Sequence, residues 1–107
     1  MIYVDPLRPC PPVDPTGGRW RFKNYCHIWS ADLSELHRFA QEKLSLKLEY
    51  FQDLPGFPHY DLTKTMRLRA VRAGALEIGA REMVERADAL HGSPDSWIKR
   101  SRQARNY

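Results

Sequence analysis

Cysteine is scarce in this chain, and its apolar stretches are short. The only cysteines among the 107 residues are Cys10 and Cys26. Two are too few for a disulfide-rich secreted fold, and a reducing cytosol keeps such thiols free. No run approaches the ~20 apolar residues of a membrane-spanning helix, and the first residues lack the basic start and apolar core of a secretory signal. We therefore expect a cytoplasmic protein without membrane contact, and a Cys10–Cys26 disulfide is the less favoured alternative.

The sequence also lacks the short motifs that mark several enzyme classes. It contains no Gly-rich phosphate loop, no nucleophile elbow and no Cys–His protease spacing. A hydride-transfer cofactor has no recognisable motif here. Zinc binding through Cys10, Cys26 and His27 would need a ligand spacing that is not one of the recognised ones. Motifs alone therefore leave open whether the protein is an enzyme and which cofactor it uses, with a divalent metal as one candidate.

Positive charge is concentrated at one end of the chain. The formal net charge is +4, and residues 93–107 hold four basic side chains against Asp95, which is +3 of that total. The composition, with 42% apolar and 28% charged residues, is that of an ordinary globular protein. We expect one domain over residues 1–92, including a Pro/Gly-rich loop over residues 6–19. The basic segment is interpreted as a flexible tail, and an arm that binds nucleic-acid phosphates is the alternative.

Apolar periodicity predicts alternating strands and helices. Asp32 and Glu35 have the spacing of a helix capping box, which places the start of a first helix there. A second helix is predicted from residue 62 to Gly74, and a third over residues 80–90. Strands are predicted over residues 1–4, 25–29, 46–51 and 75–78. This order predicts an α/β fold of two or three layers, with three helices and a mostly parallel four-stranded sheet.

Residues 55–62 combine conformational restriction with titratable side chains. Two prolines and a glycine precede His59, Tyr60 and Asp61, and we interpret the segment as a rigid loop before the second helix. In open α/β sheets, ligands bind at the carboxyl edge of the strands. Asp5 and Ser30 are also expected near that edge, where helix N-termini favour a phosphate group. The sequence therefore predicts a ligand site at this edge.

His59 and Asp61 form the strongest candidate pair. They could share a divalent metal, or act as a base and its orienting partner. In the alternative interpretation, Asp61 or Thr63 caps the second helix and His59 packs on Tyr60. Asp5 could join the pair around Mg²⁺ or Mn²⁺, although an aspartate before proline is also an ordinary turn starter, and we favour that interpretation.

The other histidines fit this site less well. His37 lies in the apolar stripe of the first helix, where a core histidine is favoured over a residue lining the ligand pocket. His27 begins its predicted strand, roughly 10 Å from the carboxyl edge at ~3.3 Å per residue, which argues against one site for all three histidines. A strand running from residue 20 to residue 27 would remove this objection. The candidate catalytic residues are His59 and Asp61, and the candidate ligand-binding residues are His27, Ser30, His37, Tyr60 and Asp5.

Three motifs resemble those of a small family of bacterial and phage proteins of unknown function. They are Cys26-His27-Ile28-Trp29-Ser30, Glu35-Leu36-His37-Arg38-Phe39-Ala40 and His59-Tyr60-Asp61-Leu62. The resemblance covers roughly residues 1–90 and implies no established activity, but it groups His27, His37, His59 and Asp61. The proline-rich insertion before Trp20 is longer than in the family pattern. A capping Ser or Thr near Gly79 is missing, which weakens an anion site at the third helix.

These observations lead to one preferred function and two alternatives. The preferred hypothesis is binding of a small phosphate-bearing ligand, such as a nucleotide, with metal assistance and with metal-assisted hydrolysis as an extension. The first alternative is nucleic-acid binding through the basic tail, the outer arginines of the second helix and the aromatic and basic residues 19–23. The second is a protein-binding accessory role, for which Trp97 and Ile98 are the candidate contact residues. The sequence leaves the oligomeric state open.

Overall fold

The structure, a computed structural model, describes residues 1–9 and 23–91. Its strands are β1 (Tyr3–Val4), β2 (Arg8–Pro9), β3 (Asn24–Trp29), β4 (Gln52–Leu54), β5 (Phe57–Leu62) and β6 (Leu76–Glu77). Its α-helices are α1 (Leu33–Leu44), α2 (Lys64–Arg72) and α3 (Ala80–His91), and a 3-10 helix covers Leu48–Tyr50. Most of the predicted loop over residues 6–19 and all of the predicted tail over residues 93–107 lie outside the described residues.

The six strands form a mixed sheet that is mostly antiparallel. Its order is β4-β5-β3-β1-β6, and β2 pairs with β3 outside this path. Only the pairing of β1 with β6 is parallel among the strand pairs of the described residues. The predicted α/β class and the three helices are therefore confirmed, whereas the prediction of a mostly parallel four-stranded sheet is wrong.

Residues 52–62 form a β-hairpin, so the prediction of a rigid loop over residues 55–62 is wrong. Pro55 and Gly56 make the turn between β4 and β5, and the φ angle of Gly56 is 84°. Proline followed by a residue with positive φ is typical of a type II turn. Pro58 is tolerated in β5 because β3 pairs with β5 only from Tyr60 onwards, so that β4 is the partner strand at this position. A two-residue connection allows only antiparallel pairing, which explains part of the error in strand direction.

The helix caps follow the predicted pattern, and the residue that caps α2 is Thr63 rather than Asp61. The Asp32 carboxylate accepts a hydrogen bond from the Glu35 backbone N–H at 3.2 Å, as the capping-box spacing predicts. Thr63 caps α2, because its hydroxyl accepts a hydrogen bond from the Met66 N–H at 3.1 Å. Asp61 is therefore free of the capping role. Within the described part of the chain, no helix is long and apolar enough to cross a membrane.

The sheet separates two helical layers. On one face, α1 and α2 pack over buried strand residues, and this larger core includes Val4, Cys26, Ile28, Leu36, Ala40, Tyr60, Leu62 and Ala70. The alternate residues of β3 point to the opposite face. There Trp29 packs against Met83 and Ala87 of α3. The result is a three-layer arrangement in which the side chains of His27, His59 and Asp61 share the α3 face of the sheet.

Candidate metal centre

Antiparallel pairing brings His27 next to the predicted pair. His27 of β3 lies directly opposite Asp61 of β5 in the strand register. His59 precedes Asp61 by two residues, so both side chains point to the same face of the sheet. Our objection to a site with His27 assumed parallel strands. Because β3 runs antiparallel to β5, its first half lies beside the carboxyl end of β5.

Ligand atoms of the three side chains lie a few ångströms from one another. One ligand atom from each of His27, His59 and Asp61 lies within 4.8 Å of the other two. The Oδ1 atom of Asp61 is 3.3 Å from Nε2 of His59 and 3.8 Å from Nε2 of His27. Ligand atoms around a tetrahedral ion with bonds of ~2.0–2.1 Å are about 3.3 Å apart. The pair of His59 and Asp61 has this spacing, and His27, at 3.8 Å from Asp61, lies slightly wider.

Each imidazole is held through its other ring nitrogen. Nδ1 of His27 is 2.8 Å from the carboxylate of Asp5, and Nδ1 of His59 is 2.7 Å from the backbone carbonyl of Phe57. A carbonyl or an ionised carboxylate can only accept a hydrogen bond, so each Nδ1 carries the proton and donates it. The lone pair of each neutral imidazole then lies on Nε2, which faces Asp61. Metal-binding histidines in proteins are oriented in this same way.

Asp5 is a buried carboxylate with a full set of partners. Its Oδ1 accepts the backbone N–H of His27 at 2.6 Å, and its Oδ2 accepts a hydrogen bond from Arg8 at 2.6 Å. Burial acts to raise the pKa of Asp5, but the two hydrogen bonds from His27, together with the charge of Arg8, outweigh it and hold the pKa below its usual value. Asp5 therefore stays ionised, and its carboxylate lies on the Nδ1 side of His27 rather than among the three facing ligand atoms.

The remaining candidate residues lie away from this cluster. Tyr60 and His37 are on the α1 and α2 side of the sheet, where the Tyr60 hydroxyl is 2.8 Å from Nδ1 of His37. Ser30 follows the far end of β3, and its hydroxyl accepts a hydrogen bond from the Asp32 N–H at 3.1 Å. The structure thus brings together Asp5, His27, His59 and Asp61, and it separates Ser30, His37 and Tyr60 from them.

Residues 11–90 match a family model described as "Protein of unknown function (DUF4031)". The chain belongs to the DUF4031 family. The expected membership of a family of unknown function is thereby confirmed, and the matched segment contains His27, His59 and Asp61. No curated protein and no solved structure matches the chain. The bacterial or phage origin and the family-specific role of the three motifs stay predictions.

Sequence reasoning missed three supporting residues of this DUF4031 protein. Arg8 lies in the segment that was predicted only as a Pro/Gly-rich loop. The Phe57 contact is made by a backbone carbonyl, which the residue type does not predict. Arg67 was expected on the outer face of its helix, but its Nε donates a hydrogen bond to the Asp5 carbonyl at 2.8 Å. The one usable signal was strand alternation, since Phe57, His59 and Asp61 share a face only if residues 57–62 form a strand.

Proposed function

We propose that this DUF4031 protein binds a divalent transition-metal ion through Nε2 of His27, Nε2 of His59 and the carboxylate of Asp61. One observation carries the proposal. The Nδ1 atoms of both imidazoles already donate to acceptors, at 2.8 Å and 2.7 Å, while both Nε2 atoms lie within 3.8 Å of the same carboxylate oxygen. Three electron-pair donors therefore face one another.

This arrangement suits a positive charge between the donors. Neutral imidazoles with the proton on Nδ1 have no proton on Nε2 to donate to Asp61. Two nitrogen lone pairs and a carboxylate oxygen repel one another unless a metal ion or a hydrogen-bond donor lies among them. A metal ion satisfies all three donors at once. A proton on one imidazole is the alternative cation, and that alternative predicts a cluster that is indifferent to metal ions.

The donor set indicates which metals fit. Two imidazole nitrogens and one carboxylate oxygen favour Zn²⁺, Mn²⁺ or Fe²⁺ over Mg²⁺, which prefers oxygen ligands. A set with Asp5, His59 and Asp61 would have contained only one nitrogen. Because the cluster contains His27 and not Asp5, the expected preference moves from Mg²⁺ towards zinc and related ions.

We further propose a small phosphate-bearing molecule as the ligand of this metal. Three protein donors leave at least one coordination position for another oxygen ligand. The guanidinium of Arg8 is bonded to Asp5, which in turn contacts Nδ1 of His27. Its side chain is 32% exposed, and it has N–H groups besides the one bonded to Asp5. A phosphate oxygen on the metal and a second one on Arg8 would use both features. Metal-assisted hydrolysis of that ligand is the corresponding reaction, because a bound metal can activate water.

The described residues give less support to a nucleic-acid role. The nucleic-acid hypothesis uses the outer arginines of α2, but Arg67 is bonded to Asp5 and Glu77. Arg69 donates a hydrogen bond to the Lys43 carbonyl at 3.2 Å. The basic tail and the tryptophan of the protein-binding alternative, Trp97, lie outside the described residues. We therefore put forward the metal-dependent ligand site alone.

Thermal unfolding with and without metal ions tests the proposal. Purified protein is stripped with a chelator and then titrated with Zn²⁺, Mn²⁺ or Mg²⁺. An ion at 100 times its dissociation constant adds ~2.7 kcal/mol to the free energy of unfolding, which raises Tm by roughly 10 °C or more for a domain of this size. We expect this rise with Zn²⁺ or Mn²⁺ in the wild type and its loss in His59→Ala. His37→Gln is the matched control, because it changes a histidine on the other face of the sheet.

A second series addresses the phosphate-bearing ligand. Inorganic phosphate and adenosine monophosphate are added to metal-loaded and metal-free protein, since both chelate free metal only weakly. We expect a further rise of Tm only in the metal-loaded wild type. An equal rise in metal-free protein would contradict the role of the metal in phosphate binding. If neither Zn²⁺ nor Mn²⁺ changes Tm of the wild type, the metal centre itself is refuted.

A further inference from the structure

The two histidines of the cluster differ in what holds them. His59 is oriented by the backbone carbonyl of Phe57, which no substitution at a side chain removes. His27 is oriented by the side chain of Asp5, across strands β1 and β3. We propose that Asp5 is the positioning residue that makes His27 a metal ligand, by keeping the proton on Nδ1 and the lone pair on Nε2. This inference rests on the proposed metal centre.

The contacts of Asp5 show why a carboxylate is needed. Its Oδ1 accepts the backbone N–H of His27, a donor that has no alternative protonation state. Its Oδ2 accepts Nδ1–H of the same residue and a guanidinium N–H of Arg8. Both oxygens therefore meet donors, and only a group that accepts on both sides satisfies them. Asp5 is only 1% exposed, so water cannot readily replace either hydrogen-bond partner.

Asparagine at this position would reverse the tautomer of His27. Its carbonyl oxygen must face the backbone N–H of His27, because that donor cannot change. Its amide NH₂ then occupies the place of Oδ2 and donates to Nδ1 of His27. The imidazole proton moves to Nε2, where it points at Asp61 and blocks the metal. Arg8 loses its acceptor in the same step and is free to turn to solvent.

Nitrogen-15 NMR of the imidazole rings tests the assignment without any metal. In chelator-treated wild type at a pH where the ring is neutral, we expect His27 to carry its proton on Nδ1. In Asp5→Asn we expect the proton on Nε2, while His59 keeps the Nδ1 proton in both proteins. Asp32→Asn is the matched control, because it makes the same chemical change at a helix cap and should leave both rings unchanged.

Co²⁺ titration, followed by its visible absorption, then measures the consequence for binding. Loss of a group that orients a ligating histidine lowers metal affinity by about 10- to 100-fold, and we expect that range for Asp5→Asn. A wild-type His27 with the proton on Nε2 would overturn the inference, even if Asp5→Asn fails to fold. An unchanged Co²⁺ affinity in folded Asp5→Asn would overturn it as well. Failure of the wild type to bind Co²⁺ would instead refute the metal centre, so the two failures are distinguishable.

Discussion

Arg67 is expected to stabilise the fold through a backbone carbonyl, and its visible ion pair is expected to contribute little. Its Nε donates to the Asp5 carbonyl at 2.8 Å, and one terminal N–H donates to Glu77 at 2.9 Å. The Arg67 side chain is 18% exposed and that of Glu77 is 58% exposed. A hydrogen bond from a charged donor contributes about 1.5–3 kcal/mol, whereas an exposed ion pair contributes about 0–1 kcal/mol.

Replacing Arg67 with methionine keeps most of the side-chain volume and removes both contacts. We expect the free energy of unfolding to fall by about 2 kcal/mol, of which most comes from the unpaired Asp5 carbonyl. Each kcal/mol lowers Tm by about 4–8 °C in a domain of this size. Arg67→Met should therefore lower Tm by roughly 8–16 °C, and Glu77→Gln by no more than about 4–8 °C.

Urea denaturation and thermal unfolding of the two variants measure this difference. Arg81→Met is the matched control, because it makes the same substitution in an exposed ion pair with Glu85 on α3 and should change the free energy of unfolding by less than about 0.5 kcal/mol. Equal losses in Arg67→Met and Glu77→Gln would refute the reasoning, since they would place the stabilisation in the ion pair. A double-mutant cycle between Arg67 and Glu77 should likewise give a coupling of no more than about 1 kcal/mol.

Two further predictions concern the other face of the sheet. Burial, with a smaller contribution from the charge of Asp5, raises the pKa of the Cys26 thiol from 9.0 to about 12. Above pH 9 the thiol ionises in the unfolded chain but stays protonated in the folded protein. The free energy of unfolding is therefore highest below pH 9 and falls as the pH rises towards 12. Between pH 8.5 and 10.5, urea titrations should show a loss of about 2 kcal/mol in wild type that is absent in Cys26→Ala, and equal losses in both would contradict the assignment. Tyr60→Phe removes the hydrogen bond to His37 and should cost about 1 kcal/mol without changing Co²⁺ affinity; a tenfold weaker affinity would show that the sheet does not separate the two sites.

Local signals in the sequence were sufficient for the helices. The capping spacing of Asp32 and Glu35 marked the start of α1, and Gly74, with a φ angle of 110°, marked the stop after α2. These features depend on hydrogen bonds and side-chain contacts within a few residues along the chain. The spacing of His59 and Asp61 is also local, and it pointed to two members of the cluster even though their segment was predicted as a loop.

Strand direction was decided only by tertiary structure. Pairing of β3 with β5 depends on hydrogen bonds between residues that are far apart in the chain, and the pattern of a short strand does not contain its direction. That direction placed His27 opposite Asp61. The separate antiparallel pairing of β1 with β3 brought Asp5 beside His27.

The sequence by itself thus determined the α/β class, the three helices and the pair of His59 and Asp61. Helix caps and side-chain periodicity are local, so they can be read from neighbouring residues. Only the tertiary structure completed the cluster with His27 and gave Asp5 its orienting contact. The reason is physical, because these side chains come from separate strands, and their proximity exists only after the strands have paired.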